Sequence, residues 1–125
     1  MRARPDPAVL RWEAAHAPRL WLSTVVIGEL LSCVELLPAG RRQEQFRAGY
    51  AELLRLHADR IVPFDLDAAR HYGAILALQE RAGRNPGTAD TQIAATARSR
   101  TMALATRNRR HFEGLGLQLI DPWEF

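Results

Sequence analysis

Two carboxylates of this 125-residue chain stand where chemistry could use them. Asp90 lies in the run Pro86-Gly87-Thr88-Ala89-Asp90-Thr91-Gln92-Ile93-Ala94-Ala95. Thr88 is predicted to cap a helix, which puts Asp90 in the first turn, where the helix dipole favours a negative charge. Helical spacing places Asp90 on the face of Ile93, Ala94 and Ala97, turned toward a sheet rather than toward water. Glu29 lies beside an apolar stripe of Val26, Leu30, Cys33 and Leu37, while Glu35 falls on the solvated side with Gly28 and Ser32. An acid in a first turn is commonly only a cap, and a glutamate beside a stripe commonly only a boundary residue. Two inward acids from helices that each follow a strand point instead to one shared site. Carboxylates brought together away from water need a compensating cation, and a hard, oxygen-seeking ion such as Mg²⁺ is the natural one.

The elements that must position these acids alternate along the chain. Asp6 caps a short helix from Pro7 to His16. Arg19–Leu22 is a strand, and Ser23 or Thr24 caps a helix to about Leu37, which Pro38-Ala39-Gly40 breaks. A helix follows from Arg41 to about Leu56, then a strand Arg60–Phe64 whose Pro63 suits a sheet edge. Asp65 or Asp67 caps a helix through Arg81, ended by Gly83. The helix opened by Thr88, a strand Met102–Thr106, a helical turn near Arg110–Glu113 and a strand Leu117–Ile120 complete the order. Such alternation predicts an α/β domain with a mainly parallel sheet, one domain over residues 1–125. The carboxyl edge of such a sheet is where this class places its chemistry.

Composition narrows the partners. Hydrophobic residues make up 47% of the chain, enough for a real core. No segment has the length of a membrane span or the order of a signal peptide. The single cysteine, Cys33, falls on an apolar helix face and reads as a small core residue of a reducing compartment, hence a cytoplasmic protein. All 17 basic residues are arginine and the net charge is +3, compatible with a nucleic-acid partner but modest for a constitutive binder. Trp12, Trp21 and Trp123 could stack on bases, although packing in a core or an interface is the expectation for each.

The runs Arg4-Pro5-Asp6-Pro7-Ala8-Val9-Leu10-Arg11-Trp12, Leu20-Trp21-Leu22-Ser23 ahead of Gly28-Glu29-Leu30, Thr88 to Ala95, Leu104-Ala105-Thr106-Arg107-Asn108 and Pro122-Trp123-Glu124 together resemble PIN-domain ribonucleases. Within them, the chain looks like the VapC and FitB-like toxins of bacterial type II toxin–antitoxin systems. The resemblance covers essentially the whole chain, and Ala89 to Asn108 is its most specific part. It implies a three-layer α/β/α sandwich and RNA hydrolysis assisted by Mg²⁺ or Mn²⁺. By position, Glu29 and Asp90 would be metal ligands, and Thr106 and Asn108 would orient a water or the phosphate. Arg107, Arg109 and Arg110 would grip flanking phosphates, with a solvated arginine turn as the equal alternative. It further implies an RNA substrate, a small cognate antitoxin and a homodimer, with no membrane partner.

Two departures from the family pattern are visible. The family opens with a central strand ending in Asp-Thr-Asn, and this sequence starts at the stretch that would follow it. A further acid three residues past the Thr-Arg-Asn run is replaced by His111, a poor Mg²⁺ ligand that reads as an ordinary surface residue. Without the first strand, the strands at Leu20 and Leu104 would face each other with unpaired edges. A start upstream of Met1, direct closure of the gap, or a strand donated by another chain would each resolve this, the first being the expectation. The predicted function is therefore a metal-dependent ribonuclease with impaired activity. The alternative is a catalytically dead remnant that binds an antitoxin or dimerises. A phosphoacceptor receiver domain is excluded because the chain has no lysine.

Overall fold

Helix caps set the frame. The structure, a computed structural model, describes residues 8, 11, 15–16, 20–85, 87–106 and 108–121. Strand β1 (Leu22–Ser23) turns directly into helix α1 (Thr24–Glu35), and Ser23 makes the switch: its Oγ accepts from the Val25 amide at 3.1 Å. That bond satisfies one of the donors a helix start leaves open. Thr24, the other cap candidate, has a different task, since its Oγ1 accepts from the Phe64 amide at 3.3 Å. The far end of α1 is closed from α2 (Arg41–Leu56), where Gln43 Nε2 donates to the carbonyls of Val34 and Leu37. Strand β2 (Ile61–Val62) follows, then α3 (Leu66–Arg81), capped by Asp65, whose Oδ1 accepts from the Ala68 amide at 3.0 Å. Helix α4 (Thr88–Ser99), strand β3 (Leu104–Ala105), a 3₁₀ turn (Arg109–His111) and strand β4 (Leu119–Ile120) close the order.

The helices land where the sequence puts them: α2 spans Arg41–Leu56, and of the two cap candidates for α3 it is Asp65 that is used. Of the predicted helix Pro7–His16, residues 8, 11, 15 and 16 are described and helical; the others lie outside the described residues. The strands are shorter than predicted, two residues each. Two corrections concern helix ends and faces. Gly87, not Thr88, is the N-cap of α4, with no side-chain cap bond; Thr88 is already helical. Cys33 is exposed rather than in the core. The buried residue of α1 is Val34, 1% accessible, because α1 is apolar on nearly all sides and its periodicity does not single out one face.

Both strand pairs are parallel, β1 with β2 and β3 with β4, in two separate ladders. The Leu22 amide donates to the Arg60 carbonyl, and those of Leu104 and Thr106 donate to Gln118 and Ile120, all at 2.9 Å. Alternation along a parallel strand then turns the backbone groups of Trp21, Ser23, Ala103 and Ala105 toward the gap between the pairs. That gap is a cavity of about 520 Å³ lined from one side by Trp21, Leu22 and Val26 and from the other by Ala103, Leu104 and Ala105. Direct closure of the gap by the neighbouring strands, one of the routes open to the sequence, is not what happens.

The core lies on one side of this division. Ile75, Ala94, Ala95, Phe112 and Leu115 form one buried cluster, with Phe64, Tyr72, Leu104, Leu117 and Leu119 packed around it. Small residues on α4 let α3 come close, and these two helices form the most extensively packed pair. The loop from the 3₁₀ turn to β4 is bent through Gly114 and Gly116, both at φ +77°, a conformation that costs other residues about 1–2 kcal/mol.

Candidate active site at the start of helix α4

Asp90 is the third residue of α4 and is partly buried, as a side chain on the inward edge of a first turn should be. Its neighbours Ile93, Ala94 and Ala97 are buried, so the predicted inward face of this helix holds. Its carboxylate does not cap its own helix. Asp90 Oδ2 meets His111 Nδ1 at 2.9 Å, with the two side chains 36% and 58% accessible. The reading of His111 as an ordinary surface residue is therefore corrected: it is open to solvent but bound to the central acid.

A short relay of bonds puts the histidine there. Thr106, at the end of β3, accepts through Oγ1 from the Asn108 amide at 3.1 Å. The Asn108 carbonyl then accepts from the His111 amide at 3.1 Å, opening the 3₁₀ turn. Phe112, 4% accessible, anchors the next residue in the core. The Thr106 and Asn108 side of the strand end thus reaches Asp90 through His111, a connection the sequence does not display because it spans 21 residues.

Around the pair opens a cavity of about 520 Å³ lined by Gln79, Arg84, Asn85, Gly87, Asp90, Arg110, His111 and Glu113. Arg84 is fixed across it, donating through Nη1 to the Glu113 carbonyl at 2.9 Å. Arg84 and Arg110 therefore line the same open cleft as Asp90 and Glu113, a mixture of cations and carboxylates that suits a phosphate bridged to a cation. Arg109 is exposed on the same 3₁₀ turn, and Arg107 lies outside the described residues.

Glu29 stands apart from this. It is exposed, and it is not among the residues lining the Asp90 cavity. Helical spacing turns it roughly 140° from the Ile27, Leu30 and Val34 side of α1, so the inward direction expected of it is corrected. Its helix does pack against α4, which keeps the two acids on neighbouring elements. Among the described residues, no three His, Cys, Asp or Glu side chains converge as a metal cluster. What the cleft offers an ion at Asp90 is that carboxylate and the His111 imidazole, with Glu113 on the same lining and room for water and phosphate oxygens. A divalent ion that keeps several waters and takes one or two carboxylates plus substrate phosphate fits such a set.

A PIN-domain family model matches residues 1–116. The chain belongs to the PIN-domain family. It is 41% identical to VapC ribonuclease Y4jK of Sinorhizobium fredii, over 98% of this chain and 89% of that protein. It is 30% identical to toxin FitB of Neisseria gonorrhoeae, over 98% of this chain and 90% of that one. The solved structure of FitAB bound to an IR36 DNA fragment superposes with a TM-score of 0.90 at 29% identity, covering 99% of this chain and 88% of that chain. These place it among the VapC-like toxin ribonucleases of the family.

For this PIN domain, sequence reasoning missed the far wall of the cleft: Gln79, Arg84, Asn85 and Glu113. Part of the signal was present. Arg84 and Asn85 sit immediately ahead of the helix that carries the inward acid, in a polar stretch bounded by Gly83 and Gly87. Gln79 is buried at 3% on α3, and only the packing of α3 on α4 reveals that it lines the site.

Proposed function

We propose that this PIN domain is the toxin of a toxin–antitoxin pair, a cytoplasmic endoribonuclease dependent on Mg²⁺ or Mn²⁺ and weak as a single chain. The observation that carries this reading is Asp90, held by His111 at 2.9 Å in a cleft it shares with Arg84 and Arg110. An ion at that carboxylate would lower the pKa of a bound water and offset charge on the scissile phosphate. Asp90 would hold the ion, with His111 beside it. Arg84, Arg109 and Arg110 would grip RNA phosphates, as would Arg107, and the hydrogen bond from the Asn108 amide to Thr106 Oγ1 would keep the polar strand end in place. The histidine at position 111, where the family pattern has a further acid, supports reduced activity.

Asp90→Ala should abolish divalent-dependent cleavage of RNA while leaving the fold intact by circular dichroism. Cleavage that survives both Asp90→Ala and chelation of metal would overturn this reading. Extending the chain ahead of Met1 with an apolar strand ending in Asp-Thr-Asn should raise cleavage more than His111→Asp does, since it supplies both a sheet neighbour and an acid.

The partners follow from the same reading: RNA as substrate, a small antitoxin, and a second copy of the chain. The FitAB and FitB relatives support the antitoxin. Exposed Trp21, Leu31 and Leu36 give an apolar surface for association. Light scattering during size exclusion should give a mass above one chain, and a monomer at high concentration would remove the homodimer. A second reading keeps the binding and drops the chemistry. His111 in place of the family's further acid favours it, and antitoxin binding with no RNA cleavage under any divalent ion would establish it.

A further inference from the structure

We propose that Asp90 and His111 form a mixed oxygen–nitrogen site that selects Mn²⁺ over Mg²⁺; this rests on the reading that Asp90 holds the ion. The pair is already at the separation coordination needs. Cis ligands of an octahedral ion with bonds of about 2.1 Å lie about 3.0 Å apart, and Nδ1 and Oδ2 are 2.9 Å apart. An ion can take the place of the shared hydrogen through side-chain rotation alone. Both side chains have that freedom, at 58% and 36% accessibility. Their backbones do not: Asp90 sits in the first turn of α4, and His111 is set by the Thr106–Asn108–His111 bonds with Phe112 buried behind it.

The donor types decide which ion gains. Mg²⁺ takes oxygen ligands and gives up water reluctantly, whereas imidazole nitrogen suits first-row transition metals. A carboxylate in place of His111 would offer two oxygens and no nitrogen, so this one residue changes the preference. The cleft adds the Glu113 carboxylate to its lining, its volume admits waters and a phosphate, and Arg84 and Arg110 line it as well.

The test uses the full chain with Mn²⁺ and Mg²⁺, read by calorimetry and by paramagnetic broadening of the histidine ring resonances. Mn²⁺ should broaden His111 ahead of His16, His57 and His71, and should bind more tightly than Mg²⁺. His111→Ala should weaken Mn²⁺ binding about tenfold or more with little change for Mg²⁺, in the range seen when groups around a metal are removed. His111→Asp should shift the preference toward Mg²⁺. Unchanged Mn²⁺ affinity in His111→Ala, or an unbroadened His111 ring, overturns the proposal. Tighter binding after His111→Ala also overturns it, by showing that the histidine blocks the carboxylate. The underlying reading fails separately: Asp90→Asn would then leave Mn²⁺ affinity untouched, whereas failure of the proposal alone leaves that variant impaired.

Discussion

The two halves of this PIN domain are built from similarly apolar residues and end in different states. On one side, α3, α4 and the β3–β4 pair enclose Ile75, Ala94, Ala95, Phe112 and Leu115 in a continuous core. On the other, α1, α2 and the β1–β2 pair carry more Val, Ile and Leu, yet of these only Val34 and Val62 are buried, while Leu36 is 84% and Trp21 45% exposed. Hydrophobicity alone does not make a core; an apolar side chain gains only when another surface takes it out of water. What separates the halves is the cavity between β1 and β3. The candidate active site belongs to the packed half, on the first turn of its most enclosed helix. That location gives Asp90 and His111 a rigid support, which a site needs if it is to orient an ion and a phosphate.

The sharpest way to break this comparison is to delete the same kind of side chain from each half. Ile75→Ala removes a fully buried side chain and should cost about 2–5 kcal/mol in urea unfolding. Leu36→Ala removes an exposed one and should stay within about 0.5 kcal/mol. Similar costs for the two would mean that the α1–α2 side is covered in solution, for example by a second chain.

Amide exchange sharpens the same contrast at the strands. The backbone groups of Leu22 and Leu104 already bond outward to β2 and β4, so they report on those ladders and not on the gap. The informative amides are those of Trp21, Ser23, Ala103 and Ala105, which face the cavity. These should exchange fast, while Ala94 and Ala95 inside α4 should exchange only by near-global unfolding. Strong protection at Ala103 and Ala105 would show that a strand occupies the gap.

How much of this was legible depended on whether the signal was local. The limits of α2 and α3 could be read because Gly40, Asp65 and Gly83 mark them, each acting within a few residues of its own position. The inward direction of Asp90 was legible as well, because Ile93, Ala94 and Ala97 mark its face of α4. The face of α1 was not. With Val25, Val26, Ile27, Leu30, Leu31, Cys33 and Val34 distributed around it, no stripe stands out, and both Cys33 and Glu29 were assigned to the wrong side. The role of His111 was invisible for another reason: its partner is distant in sequence, and the 3₁₀ turn that aims it is only three residues long. Local chemistry predicts caps; contacts across the fold need the packing.

The smallest effect expected comes from the bond that closes the packed half at its solvent edge. Asp65 caps α3, and its Oδ2 also meets Arg100 Nη2 at 3.1 Å beyond the end of α4. The Ala68 amide, and after it the Arg100 charge, hold the Asp65 carboxyl below its ordinary value of 3.8. A carboxyl lowered in the folded state contributes stability that is present above its unfolded pKa and is lost as the pH falls through the folded one. The melting temperature should therefore decline below about pH 4, and Asp65→Asn, which keeps an acceptor for the cap but cannot ionise, should make that decline shallower. Because the Asp65–Arg100 pair is open to solvent, raising the salt concentration should shrink the difference between the two proteins. An acid limb identical in Asp65→Asn and the native chain would assign the decline to other carboxylates and leave the α3–α4 layer held by its apolar contacts alone.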